Sequence, residues 1–292
     1  ISFSNLFPSY IVLGWGNEGG SSFIPYVNNF AYNNEGFELA LNFKKQIGDF
    51  FIGFGGNMMY SHQKNLKISE NVEYEWQKAE GQNRSAMRGY RCLGYFQSED
   101  EIANSAVINS NTKPGDLKYE DINGDGIIDG KDQVIIGRWD SPWLYGMNLT
   151  LGYKGFTLFV AASGIAGGNG IKDNQAAWVY GDRKYSDIVR GRWTPETAAS
   201  ATYPRLTTRG GELNFVTSDY WMYDSSAFYL DQVQLTYDFP AKWFDKKFVS
   251  GLQLYVNGNG LWWSGKEKVY RETSIGYGPQ TRSFNFGVKV NF

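Results

Sequence analysis

Only one cysteine, Cys92, and one histidine, His62, occur among the 292 residues of the sequence. A lone cysteine excludes an intrachain disulfide and a zinc site built from several cysteines. A lone histidine argues against a histidine-based catalytic centre, and no Gly-Lys-Ser/Thr stretch of the kind that cradles phosphate is present. These absences predict that the protein is not an enzyme.

Long apolar runs and a strong charge of either sign are absent as well. No stretch of about 18 or more apolar residues occurs, which excludes a membrane-spanning helix. The formal net charge is -2 and the Lys and Arg residues are scattered, so we expect no nucleic-acid partner. A transmembrane β-barrel remains open, because strands that alternate between lipid and lumen contain no continuous apolar run.

Aromatic residues are abundant, at 17% of the total, and many of them lie in stretches of period two. Successive side chains of a strand point to opposite faces, so alternation of apolar with small or polar residues predicts two-faced strands. We expect about eight such strands, several of them joined as hairpins. They are predicted near 1–13, at 36–44, 50–60, 144–153, 156–162, 233–239 and 252–256, and at 284–292.

The connections between these strands alternate between short and long. The turn at Lys154-Gly155 and the one that contains Pro240, Lys246 and Lys247 are short, whereas 61–141 is long. Ordinary domains rarely contain structureless loops of such length, but outer-membrane barrels have short periplasmic turns and long external loops. We therefore expect an all-β, antiparallel transmembrane β-barrel segment with long extracellular loops and its C-terminus, Phe292, in the periplasm.

The segment DINGDGIIDGKD at 121–132, inside the long connection 61–141, has the spacing of a calcium-binding loop. Oxygen donors at alternate positions and a glycine at the sixth position suit Ca²⁺, although the flanks look extended and not helical as in an EF-hand. Tight Asx turns without an ion are the alternative. A bound ion would be structural and would order a loop whose composition offers little core. The predicted ligands are Asp121, Asn123, Asp125, the carbonyl of Ile127, Asp129 and Asp132.

An ordered set of motifs covers nearly the whole chain. In sequence order they are NNEGFELALNF, GYFQSEDEI, KPGDLKYEDINGDGIIDGKDQVIIG, YGMNLTLGYKGFTLFVAASG, RWTPE, SAFYLDQVQLTYDFP, LQLYVNGNGLW and FNFGVKVNF. Each motif alone is weak, but their order is specific. In this order the chain resembles the C-terminal part of SusC/RagA-like TonB-linked outer-membrane proteins of Bacteroidetes.

The resemblance implies a 22-stranded barrel with an N-terminal plug, of which residues 1–292 would be the last eight or so strands. It also implies import of glycans or peptides across the outer membrane, with a SusD-like surface lipoprotein as lid and TonB as energy source. The plug and the TonB-contacting segment are not in the sequence, so we expect the chain to be part of a longer protein. Two alternatives remain: a barrel scaffold in an outer-membrane assembly complex, and a secreted calcium-binding β protein.

Several aromatic residues are candidates for stacking against a sugar ring or a peptide side chain. Packing in a membrane-interface girdle or in a loop core is the favoured interpretation for each of them. The candidates are Trp178, Tyr180, Trp193, Tyr220, Trp221, Tyr223, Trp262 and Trp263.

Overall fold

The structure, a computed structural model, describes residues 2–8, 26–183, 186–208, 213–244, 248–268, 271 and 281–292, with side chains from residue 30 onward. Within these ranges the fold is built from strands, with one short α-helix, α1 (Glu99–Ala103), and several 3-10 turns. No helix in the described part of the chain is long and apolar enough to cross a membrane. The all-β prediction is confirmed.

The strands fall into one large sheet and three small pairs. The strands of the large sheet are β1 (Ser2–Pro8), β2 (Tyr26–Ile47), β3 (Phe50–Ile68), β8 (Trp143–Tyr153), β9 (Phe156–Ala166), β12 (Ala227–Asp238), β13 (Gly251–Gly265) and β14 (Ser283–Asn291). The small strands are β4 (Ala86–Gly89), β5 (Cys92–Tyr95), β6 (Leu117–Tyr119), β7 (Val134–Arg138), β10 (Asn169–Ile171) and β11 (Met222–Asp224).

The large sheet is antiparallel and follows the order β1-β2-β3-β8-β9-β12-β13-β14. The spatial order of these eight strands is also their order along the chain. The small pairs β4-β7, β5-β6 and β10-β11 lie in the long connections and do not enter the large sheet. In the described residues β1 and β14 form the two edges of the sheet. The prediction of antiparallel pairing is confirmed, whereas barrel closure and a total of 22 strands remain predictions.

The turn between β8 and β9 shows how local sequence sets the register. Lys154 and Gly155 have φ angles of 46° and 86°, the two positive values that a two-residue hairpin turn of type I′ requires. Glycine suits the second position because a side chain there would also meet the carbonyl oxygen of Asp238, 2.7 Å from an added Cβ. The predicted Lys154-Gly155 turn is confirmed, and it pairs Tyr153 with Phe156.

Several strands differ in extent from the prediction. β3 continues to Ile68, past its predicted end, because polar residues of β2 and β3 pair beyond the alternating apolar stretch. β2 begins earlier than predicted, at Tyr26, because its first residues pair with β1. The predicted strand near 1–13 is observed as Ser2–Pro8, and its other residues lie outside the described ranges. Lys246 and Lys247, predicted in the turn between β12 and β13, also lie outside them.

The connections 69–142 and 167–226 pack against each other around one hydrophobic core, and we call this unit the loop module. Its fully buried side chains include Met87, Tyr203 and Trp221, with exposures of 0%, 0% and 1%. The prediction that the 61–141 loop offers little core was wrong. Its buried apolar residues lie in short strands and turns without a long alternating or helical pattern, and the core that they form includes distant residues such as Phe215.

Candidate functional site

One face of the large sheet, the outer face, is apolar and exposed. A cross-strand row joins Phe43, Phe54, Leu149, Val160 and Val233 by direct pairing from β2 to β12. Phe37 is 49% exposed at one end of the sheet and Phe286 is 81% exposed at the other. An exposed apolar surface that runs across so many strands marks a contact with lipid or with another protein.

Aromatic rings lie at both ends of this apolar band. Where the long connections begin, the Tyr60 ring centroid lies 5.9 Å from that of Phe37 and 4.7 Å from that of Trp143. Where the short turns lie, Phe156 and Tyr237 have ring centroids 4.5 Å apart. β8 crosses the band in 11 residues, which span about 25 Å in a strand tilted by about 45°. This matches the apolar height and aromatic girdles of an outer-membrane barrel.

The opposite, inner face of the same strands carries amides and hydroxyls. Gln234 Nε2 donates to Thr236 Oγ1 at 3.1 Å, and Asn285 Nδ2 donates to Asn257 Oδ1 at 2.9 Å. Because these side chains bond to one another along the sheet, their polar groups are satisfied without an apolar layer against them. A face of this composition suits water or a polar ligand, not the core of a β-sandwich.

The acidic loop lies in the loop module, between β6 and β7. The extended flanks predicted from the sequence are confirmed, since Leu117–Tyr119 precedes the loop and Val134–Arg138 follows it as strands. Gly126, the sixth position, has a φ of 82°, which fits the predicted sharp turn. Ile128 is 3% exposed and anchors the loop in the core of the module.

The carboxylates of the acidic loop accept hydrogen bonds from its own backbone. Asp121 Oδ1 accepts from the Gly124 N–H at 2.7 Å, and its Oδ2 accepts from the Gly126 N–H at 2.9 Å. The hydrogen bond from the Asn123 amide and then that from the Ile127 N–H lower the pKa of Asp125. Asn123, Asp125 and Asp129 each accept from the backbone N–H two residues later, which is the Asx-turn geometry of the alternative interpretation.

Asp132 differs from the other predicted ligands because it is fully buried, at 0% exposure. Its Oδ1 accepts from the Ile122 N–H at 2.9 Å, and its Oδ2 accepts from the Asp129 N–H at 2.9 Å. The side chain therefore clamps the two ends of the loop together. Within the described ranges, no group of three or more His, Cys, Asp or Glu side chains is arranged to hold a metal ion.

The candidate stacking residues are divided between the loop module and the sheet. Trp221, Trp193 and Trp263 are 1%, 8% and 5% exposed, so packing is their observed role. Trp178, Tyr180 and Tyr220 pack against the core of the loop module. Tyr223 pairs with Gly170 between β11 and β10. Trp262 is 49% exposed, and its ring lies 6.3 Å from that of Phe228 on the outer face.

Sequence reasoning missed the polar group that joins the two halves of the loop module. Asp116 is 1% exposed and pairs with Arg205, whose Nε lies 2.8 Å from Asp116 Oδ1. Asn214 Nδ2 donates to the same carboxylate oxygen at 2.8 Å, and Asn214 Oδ1 accepts from the Leu117 N–H at 2.7 Å. The only sequence signal was an aspartate in GDLKYE, among many acidic residues.

No family model matches the sequence. The chain is 24% identical over 290 residues to TonB-dependent receptor P3 of Formosa agariphila, covering 89% of this chain and 28% of that protein. It is 28% identical over 234 residues to TonB-dependent receptor P26 of the same organism, covering 73% of this chain and 23% of that protein.

In fold, the chain is similar to part of a solved importer structure. The chain matches the RagAB peptide importer in the open-open state with a TM-score of 0.70 at 17% identity, covering 92% of this chain and 30% of that chain. The closed-closed state gives a TM-score of 0.67 at 16% identity with the same coverage. The chain thus spans less than a third of the length of each of these proteins. The chain is thus similar in sequence to TonB-dependent receptors and similar in fold to part of the RagAB peptide importer, which agrees with the resemblance to the C-terminal part of SusC/RagA-like proteins.

Proposed function

We propose that this chain is the C-terminal barrel segment of an outer-membrane, TonB-dependent importer. The observation that carries the proposal is the exposed apolar outer face, bounded at both ends by aromatic rings and backed by a polar inner face. The relation to TonB-dependent receptors supports it. A secreted calcium-binding β protein would be expected to cover residues such as Phe286, which is 81% exposed.

Orientation and partners follow from this proposal. The short turns face the periplasm, with Phe292 on that side, and the loop module faces the cell exterior. A SusD-like surface lipoprotein covers the loop module, and TonB acts through a part of the full-length protein outside this chain. The imported substrate is an oligosaccharide or a peptide. The likeness in fold to RagAB, a peptide importer, supports the transport class.

The experiment that tests the proposed function uses the full-length protein in its own cells. We expect deletion of its gene to abolish uptake of one class of labelled oligomer, either oligosaccharide or peptide. Dissipation of the proton gradient is expected to abolish the same uptake, because TonB-dependent transport needs that energy. Unchanged uptake of every oligomer in the deletion strain would support the non-transporting scaffold instead.

We further propose that the acidic loop binds a structural calcium ion. Asp121, Asn123, Asp125 and Asp129 support this, since they are at least partly exposed and their oxygen atoms keep lone pairs beyond the hydrogen bonds they accept. Asp132 would complete the site as the twelfth residue or, as a buried clamp, shape the loop around it. The Ile127 carbonyl would supply the seventh-position ligand.

Calcium is expected to protect the 61–141 region of the full-length protein from protease, and chelation is expected to remove that protection. The variant Asp125→Asn retains the shape of the side chain and its hydrogen-bonding oxygen but loses the charge, so it should lose the calcium effect while remaining folded. Asp187→Asn, an exposed aspartate elsewhere in the loop module, is the matched control. Cleavage that is identical with calcium and with chelator in the wild-type protein would exclude the ion.

A further inference from the structure

The inner face of the sheet changes character near the loop module. There, Met59, Leu144 and Ile165 are direct cross-strand neighbours on β3, β8 and β9. All three are at least partly exposed, and Leu144 is 40% exposed. In the described part of the chain, no hydrophobic core packs on this aliphatic row. Core packing therefore does not explain why it interrupts a face of amides and hydroxyls.

This aliphatic row forms the floor of a pocket of about 880 Å³. The neighbouring cross-strand row contains the small residues Ala40 and Gly146, which leave the space open above the backbone. Asn57, Ser163 and Tyr229 line the same pocket and supply an amide and two hydroxyl groups. The volume falls in the range of cavities that enclose small ligands or a few residues of a peptide.

The charged residue that lines the pocket is acidic. Glu38 pairs with Met59 at the β2 end of the aliphatic row and also lines an adjoining pocket of about 400 Å³ that includes Glu35. No Lys, Arg or His lines either pocket in the described part of the chain. Glu38 also takes part in none of the ion pairs among the described residues. A ligand with a positive group beside an apolar group would complement this surface.

Arg271 lies next to this pocket without forming part of its lining. Its Nη2 donates to the Tyr229 hydroxyl at 3.3 Å, and its guanidinium carbon lies 4.7 Å from the Trp263 ring centroid. These contacts hold the Tyr229 hydroxyl group in place at the β12 end of the pocket. The acidic end at Glu38 is therefore the only charged end of the lining that the structure describes.

We infer that this pocket binds an oligopeptide in which a basic group lies next to an aliphatic side chain. The inference rests on the proposed import function and names its substrate class. The aliphatic side chain contacts Met59, Leu144 and Ile165, and the basic group pairs with Glu38. An oligosaccharide fits less well, because sugar rings bind to flat aromatic faces, whereas the floor here is aliphatic and the Tyr229 ring lies only at the β12 end of the pocket.

The test measures binding of a fluorescent hexapeptide with adjacent lysine and leucine to the purified full-length protein in detergent. Analogues with lysine replaced by glutamate or with leucine replaced by serine are expected to bind more weakly. Removal of one exposed ion pair by Glu38→Gln should weaken binding of the lysine peptide by about two- to fivefold. Binding of the glutamate analogue should not weaken, because the same substitution removes a like charge. Asp49→Asn, in the short turn between β2 and β3, is the matched charge control.

A second variant tests the floor of the pocket independently of charge. Ala40→Phe fills the space above the aliphatic row and should weaken binding about tenfold or more, since burial of a leucine side chain is lost. Asn42→Phe adds the same ring two residues along the same face, outside the pocket lining, and should change binding less than about twofold. Both positions are exposed on β2, so neither substitution disturbs a packed core.

Two results separate the inference from the proposed function. If the full-length protein imports and binds maltohexaose or another oligosaccharide, and Ala40→Phe and Glu38→Gln leave peptide binding unchanged, the peptide inference is overturned and import stands. If the gene deletion leaves all uptake unchanged, the import function itself fails. Selective loss of lysine-leucine peptide binding in both variants, with the two controls unaffected, supports the inference.

Discussion

Replacement of Asp116 by alanine is expected to loosen the loop module while leaving the large sheet intact. The substitution removes a carboxylate that is 1% exposed and leaves Arg205 and the Asn214 amide without their partner. Loss of one member of a buried ion pair costs about 3–5 kcal/mol, a large part of the stability of a small unit. Limited proteolysis of the full-length protein should then show new cleavage in both long connections, 69–142 and 167–226.

The control for Asp116→Ala is Asp187→Ala, which removes a carboxylate of the same loop module from an ion pair with Arg190. Both side chains of that pair are 86% exposed, and such pairs contribute little. We expect no change in its cleavage pattern. Protease resistance of Asp116→Ala equal to that of the wild type would contradict the role given to this buried group.

The second large effect is expected on the outer face of the sheet. Leu149→Arg places a charge about midway between the aromatic rings at the two ends of β8. If this face contacts hydrocarbon, an arginine at that depth costs about 2–4 kcal/mol. The amount of folded full-length protein in the outer membrane should fall accordingly, as measured by the mobility of unheated samples on gels.

Thr150→Arg is the matched control, since Thr150 is the next residue on β8 and points to the inner face. It pairs with Gly53 on one side, against which the Phe51 ring lies, and with Phe159 on the other. An arginine there reaches the polar interior, and folded protein should accumulate at near wild-type amounts. Equal losses in both variants, or a larger loss in Thr150→Arg, would contradict the assignment of the two faces.

The large sheet was predictable from sequence because its signal is local. Alternation in stretches such as GFELALNF fixes which residues share a face, and a one-residue change of register would move every apolar side chain to the polar face. The Lys154-Gly155 turn was equally predictable, since glycine in a two-residue connection is a strong hairpin signal. Strand ends were less certain, because polar pairs extend β2 and β3 beyond the apolar alternation.

The loop module was not predictable in the same way. Its core joins residues such as Met87 and Trp221, which are far apart in sequence and follow no period. The acidic loop was predictable only in part. Its glycine turn and extended flanks were predicted, but the buried position of Asp132 was not. Spacing alone does not tell a carboxylate that binds an ion from one that accepts backbone N–H groups. Calcium occupancy therefore stays a prediction.

Outward side chains of the large sheet are expected to contact hydrocarbon, and inward side chains are expected to contact water. Spin labels at Leu149→Cys and Asn148→Cys test it in the full-length protein in lipid bilayers, with Cys92 replaced by serine. Burial raises the pKa of the Cys92 thiol to about 11, so even the native thiol would label slowly at neutral pH.

The measurement compares relaxation of each label by oxygen, which partitions into lipid, and by a water-soluble nickel complex. Relaxation by oxygen is expected to dominate at position 149, and relaxation by the nickel complex at position 148. Dominant relaxation by nickel at position 149 would place Leu149 in water, and protection from both reagents would place it in a protein interior. Either result would contradict the contact of this face with lipid.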